Sequence, residues 1–335
     1  MIDPPPRPDW RSEITTAQFG PMAEDLLAVS LEAAASGSAT IARPIVDRGV
    51  DLYLRRIRSL LTIPIQVKAF QHLSPDGNGS LDLPVTEIGV DPQGHLAMVH
   101  VPAPHDQLYR HLFLIPFRDF RERCPRGLLH GAEAFTFTGN FLASPKDLWT
   151  EFLFDIDRLP AWLASIEGWT SPIPPVPHPA PREAITEGDA RTDWLGDIGR
   201  LWTATELERA GAASIVIAED RVRLDTVTLL VHDLASRRFG GLHIRTGQVT
   251  AGRTVHFEVT RPSFFIDPGL NVVLVLLDQD LRVHDFCLVI PSQQMPELGY
   301  SETITVDPLT KRFEPYRVAS DQVGTVLLSQ LFRKD

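Results

Sequence analysis

Residues 170–189 read TSPIPPVPHPAPREAITEGD, with six prolines between positions 172 and 181. Proline lacks the amide proton that a helix interior or a central strand requires and holds its neighbours extended, so no regular element runs through this stretch. The chain is therefore expected to divide here, into a first domain over 1–170, a linker over 171–189 and a second domain over 190–335. Each half has ordinary domain size, and 43% hydrophobic residues supply both with core material.

In the first half, PMAEDLLAVSLEAAAS places apolar residues at helical spacing, whereas ATIARPIV, VDLYLRRI, TIPIQVKAF, HLAMVHVP and HLFLIPF read as strands. SPKDLWTEFLFDIDRLPAWLASI is expected to form a closing helix, with Ser144 as N-cap, Pro145 at the first helical position and the aromatic residues Trp149, Phe152, Phe154, Trp162 and Trp169 on it. The second half repeats this order. Gly37 to Asp51 is fourteen positions, as is Gly211 to Asp225, and GSATIARPIVDRGVDLYL aligns with GAASIVIAEDRVRLDTVTLL. HLFLIPFRDF matches HDFCLVIPSQQM, and FLASPKDLWTEFLF matches RVASDQVGTVLLSQLF. Several matches in one order predict tandem duplication of one α/β domain.

The formal net charge of −11 opposes nonspecific attraction to nucleic acid or anionic membrane and leaves room only for a local basic face. Two distant cysteines, Cys124 and Cys287, have no zinc or disulfide spacing, the amino terminus carries no basic-then-apolar leader, and VVLVLL is too short to cross a bilayer. A cytoplasmic protein without membrane attachment is expected. Serine-hydrolase elbows, Walker loops and dinucleotide fingerprints are absent. SPDGNGSLDLPV has Asp76, Asn78 and Gly79 in the register of a calcium loop, but Ser74 and Val85 stand where acids are needed, so it reads as a turn. The five histidines His95, His100, His105, His111 and His130 follow no zinc pattern and are read as polar strand positions.

The chemistry-bearing stretch is DRGVDLYLRRIRSLLTIPIQVKAF, residues 47–70. Alternation along a strand puts Gln66 and Lys68 on one face. If VDLYL and PIQVK pair as a hairpin, Asp51 sits beside both. A carboxylate and an amide oxygen are hard ligands of the kind Mg²⁺ takes, and a neighbouring ammonium stabilises charge on phosphate. Arg43, Arg48, Arg55, Arg56 and Arg58 surround the same hairpin and are the candidate nucleic-acid-contacting face.

A helix bearing Glu24, then RGVDLYL, then IQVK resembles the PD-(D/E)XK, or restriction endonuclease-like, nuclease superfamily. It is most similar to the Mrr-type enzymes, which use Gln-x-Lys, and to the archaeal Holliday junction resolvases, which carry a helix-borne Glu. The resemblance covers roughly residues 19–70. It implies an α/β fold of two tandem restriction endonuclease-like domains, each a mixed central β-sheet flanked by helices. It further implies Mg²⁺- or Mn²⁺-dependent phosphodiester hydrolysis in a prokaryotic defence or mobile-element context. Asp51, Gln66 and Glu24 would hold the metal and Lys68 would be the catalytic lysine. Gln66 stands where an acid is commoner, and Val50 where proline precedes the first acid. The expected partner is nucleic acid, DNA before RNA, with a protein partner or a second copy also open. The second half is expected to be degenerate, with Asp225, His243 and Arg245 in place of Asp51, Gln66 and Lys68, and Ile198 opposite Glu24. The alternative function is an inactive nuclease-fold scaffold or binding protein.

Overall fold

The computed structural model describes residues 15–46, 49–89, 91–142, 147–170, 187–220, 227–249, 255–257, 265–298, 304–306 and 310–333. The chain is α/β and forms two compact units. The first comprises Met1–Ile41, Asp47–Leu54 and Ile63–Thr170, and the second comprises Ala42–Val46, Arg55–Thr62 and Ser171–Asp335.

The first unit opens with helix α1 (Thr16–Ala35) and runs through β1 (Ala39–Pro44) as far as Ile41, β2 (Leu52–Arg56) as far as Leu54, β3 (Thr62–Phe70) from Ile63, β4 (Asn78–Pro84), β5 (His95–His100) and β6 (His111–Pro116). It continues through α2 (Phe117–Arg123), β7 (Arg126–Leu129), β8 (Ala132–Asn140), β9 (Leu153–Asp155) and α3 (Leu159–Ser165). Its strand order is β1-β2-β3-β5-β6-β9, with β3 and β5 parallel. Phe19, Ala23, Leu27 and Leu31 recur every four residues along α1 and are buried, as amphipathic spacing requires. A separate three-stranded sheet, β4-β8-β7, closes an aromatic core of Phe70, Phe113, Phe120, Phe135, Phe137 and Trp149.

The second unit contains α4 (Glu187–Gly211), β10 (Ile215–Asp220), β11 (Leu229–Asp233), β12 (Arg238–Gln248), β13 (Val255–Phe257), β14 (Leu270–Leu277), β15 (Phe286–Pro291), β16 (Ile304–Val306), β17 (Arg317–Ala319) and α5 (Val323–Leu331). Its order is β10-β11-β12-β14-β15-β17, with β12 and β14 parallel, so the two units share strand order and the place of the parallel pair. β14 is apolar from Val272 to Leu277 because it is covered on both sides: Val273, Val275 and Leu277 join α5 residues in one cluster, and Val272, Leu274 and Leu276 join Met295 and Phe313 in another.

Three expectations are corrected. The stretch expected to be one closing helix is broken into a 3-10 turn at Thr150–Phe152, β9, a second turn at Ile156–Arg158, and α3. Phe154 pairs with Leu112 of β6 as part of a sheet edge, and Pro160 starts a new helix rather than continuing one. Ser144 and Pro145 lie outside the described residues. Glu187–Asp189, assigned to the linker, already belong to α4, since no proline follows Pro181 to stop a helix there. The second unit also claims Ala42–Val46 and Arg55–Thr62, because Ala42, Arg43 and Pro44 pair antiparallel with β10.

Candidate functional site

Gln66, Lys68 and Phe70 share one face of β3, and Phe70 anchors that face in the aromatic core. Ile88 belongs to the same core and Val85 packs against it, so the 3-10 turn Val85–Glu87 is laid against this face. The Gln66 Nε2 donates to the Glu87 backbone oxygen at 2.9 Å, and the Lys68 Nζ donates to Glu87 Oε2 at 3.3 Å. Gln66 is 3% exposed, and its Oε1 is buried without a hydrogen-bond partner. The lysine and glutamate side chains are 24% and 49% exposed, so the ion pair lies at the mouth of the site.

Asp51 sits at the entrance to β2. Its backbone N–H donates to Ile65 O at 3.0 Å, and its Oδ2 accepts from the Val67 N–H at 2.6 Å. The carboxylate is thus fastened to β3 between the residues that carry the amide and the ammonium. Gly49, at φ +82°, supplies the left-handed turn into this position, and a Cβ there would stand 3.4 Å from the Glu87 carbonyl. Asp51 is therefore held to the strand segment that carries Gln66 and Lys68, and Glu87, which the sequence reading missed, contacts both of those side chains. Nothing in VTEIG marks Glu87, whose approach depends on the packing of its neighbours. Glu24 is half-buried on α1.

The donor set fits a hard divalent cation at one point in particular: a buried amide oxygen lacking a partner, its orientation fixed by the other end of its own amide. Burying such an oxygen is costly unless something donates to it or it coordinates a cation. Among the described residues no group of three or more His, Cys, Asp and Glu is arranged to hold a metal. The set proposed from sequence holds two acids and one amide.

The basic face is corrected. Arg55 is fully buried, with its guanidinium on Asp220 Oδ2 at 2.5 Å and on Ser59 O at 3.2 Å, and Arg56 is 8% exposed. Both are taken into the second unit's interior and present no surface to a phosphate backbone. Arg43 is half-buried opposite Glu219, Arg58 is half-buried in the hairpin turn, and Arg48 lies outside the described residues.

The second unit reproduces the backbone frame of the site and replaces its chemistry. Thr228 N donates to Leu242 O at 2.7 Å, and Ile244 N donates to Thr228 Oγ1 at 3.0 Å, the same pair of bonds that Asp51 makes to Ile65 and Val67. Thr228 is therefore the positional counterpart of Asp51, with His243 and Arg245 opposite Gln66 and Lys68. This corrects Asp225, three positions away and outside the described residues. The fourteen-residue spacing misled because the 3-10 turn Ala212–Ser214 lengthens the path from Gly211 into β10 by two residues and the path from the start of β10 to Thr228 is longer by one than that from Ala39 to Asp51.

A cleft of about 670 Å³ elsewhere in the first unit is lined by Arg110, His111, Asp155, Arg158 and Trp162 among others, and none of the candidate site residues lines it. Its Arg110 is held by Asp155 at 2.6 Å. Burial pushes the Cys124 and Cys287 thiols up to about 12, which makes both poor nucleophiles. No described helix is long and apolar enough to cross a membrane. The sequence matches no protein-family model and has no significant match among curated proteins.

Proposed function

We propose that the protein is a Mg²⁺- or Mn²⁺-dependent nuclease of the PD-(D/E)XK type, hydrolysing phosphodiester bonds in DNA before RNA, with its site in the first unit. The observation that carries this reading is the Gln66 carboxamide: its Nε2 is spent on the Glu87 carbonyl and its Oε1 is left as a buried acceptor, on the strand whose next N–H, that of Val67, binds the Asp51 carboxylate and whose Lys68 lies on the same face. Asp51 supplies the anionic oxygen and Gln66 the neutral one. Bound there, the cation supplies Lewis acidity to a phosphoryl oxygen. Lys68 brings an ammonium to the charge that develops on the phosphate. In this reading the shared strand order and the Thr228 frame make the second unit a degenerate copy from a tandem duplication.

A plasmid, single-stranded DNA and an RNA are incubated with the full chain and Mg²⁺ or Mn²⁺. DNA cleavage is expected, with loss of at least a hundredfold in Asp51→Asn and in Lys68→Ala. Cleavage persisting in both variants, or none by the wild type with either metal, overturns the assignment. The burial of Arg55 and Arg56, on a chain of net charge −11, favours the second reading, an inactive nuclease-fold scaffold. That reading expects a folded chain with no metal-dependent cleavage.

A further inference from the structure

We propose that Glu87 is the second acid of the cation site, taking the ligand role that Gln66 cannot fill as an anion; this rests on the reading that Asp51 and Gln66 hold Mg²⁺ or Mn²⁺. One carboxylate and one amide leave a divalent ion short of negative charge, and affinity for such ions rises with the number of charged ligands. Glu87 is the acid that touches this set of residues. Its backbone oxygen is bound to the Gln66 amide, the same oxygen lies beside Gly49 two residues before Asp51, and its carboxylate reaches the Lys68 ammonium. The Gln66 oxygen, buried with no protein hydrogen-bond partner, is the second observation that admits a ligand at this point.

The contact that Glu87 makes now is weak. At 3.3 Å, with the glutamate half exposed, the pair with Lys68 holds the carboxylate loosely and a dication competes for it readily. The exchange has a second effect: when the carboxylate leaves Lys68 for the cation, the ammonium is released to a phosphate. Metal binding and lysine availability are then coupled through one side chain, while the backbone of Val85–Glu87 stays fixed by Ile88 and Val85 in the core. The chemistry selects a hard dication with oxygen ligands.

Calorimetric titration of the full chain with Mn²⁺ in the absence of nucleic acid tests this without relying on cleavage. Glu87→Gln, which preserves the backbone oxygen and the side-chain size, is expected to weaken Mn²⁺ binding tenfold or more, as Asp51→Asn does, with Glu87→Asp recovering part of the loss. Lys68→Met is expected to tighten binding severalfold in the wild-type background and by clearly less in Glu87→Gln, because only a carboxylate shared between the two creates competition. Melting curves check that the variants fold. Mn²⁺ affinity in Glu87→Gln within twofold of wild type, with Asp51→Asn impaired, reduces Glu87 to a partner of Lys68 and sinks the proposal while leaving the nuclease reading standing. Absence of Mn²⁺ binding by the wild type sinks both.

Discussion

His95 illustrates how one side chain ties the fold to pH. It opens β5, its Nδ1 lies 3.0 Å from Gln93 O, and its ring meets Trp162 edge-on at 5.5 Å. Burial lowers its pKa to about 4, against smaller opposing contributions from the Gln93 carbonyl and Asp119. The unfolded chain takes up this proton near 6.5 and the folded chain only near 4, so the neutral ring's contribution is whole above 6.5 and is lost as pH falls between the two values. Allowing for the ring's partial exposure, the loss is about 1–2 kcal/mol. Urea titrations at pH 7 and pH 4.5 should show a smaller fall in stability for His95→Gln than for wild type; equal falls assign the acid sensitivity elsewhere. At this scale the sequence showed that Gln66 and Lys68 share a strand face, because a period of two is written into the residues themselves. It hid Glu87, whose place depends on Ile88 and Val85 reaching an aromatic core, and it misread Arg55, because charge does not disclose burial and the partner Asp220 lies 165 positions away.

Between residue and domain, the hairpin tip is the element whose role changed most. Arg55 and Asp220 side chains are 0% and 2% exposed, and an ion pair so enclosed holds its geometry only while both charges are present. Removing one leaves the other desolvated without compensation, at a cost of about 3–5 kcal/mol, whereas replacing both with apolar residues of similar volume is often tolerated. Arg55→Met and Asp220→Leu should each lower stability by that order, and the double variant should recover most of it. Additive losses would show that the two residues act independently. The helix α1, with its strong periodicity, was legible. The closing helix was not, since LWTEFLFDIDRLPAWL satisfies helical spacing until the pairing of Leu153–Asp155 with β6 and the proline at 160 divide it. The β4-β8-β7 sheet also escaped notice, because its exposed face of Ser80, Asp82, Thr136 and Thr138 dilutes the apolar signal of Phe135 and Phe137.

Across the whole molecule, the duplication reading makes a stoichiometric prediction. Both units hold the residue before the second strand by the same two bonds, one backbone to backbone and one from a backbone N–H to that residue's side-chain oxygen, so the frame occurs twice. What it presents differs: an acid, an amide and a lysine in the first unit, with Glu87 beside them, against Thr228, His243 and Arg245 in the second. The second set contains no anion and carries a permanent guanidinium, and Ile198 on α4 packs into the apolar cluster rather than offering an acid. If the cation site is the one proposed, a hard dication would find net negative charge in the first unit and none in the second, and selection between the two would be electrostatic rather than a matter of backbone shape. Calorimetry should return one Mn²⁺ per chain. Asp51→Asn should remove it, and Thr228→Val should leave both stoichiometry and affinity within twofold of wild type, since that variant loses only a neutral acceptor for the Ile244 N–H. Two ions per chain, or loss of binding in Thr228→Val with the melting temperature intact, would show that the second frame binds metal and that substitution of its side chains has not silenced it.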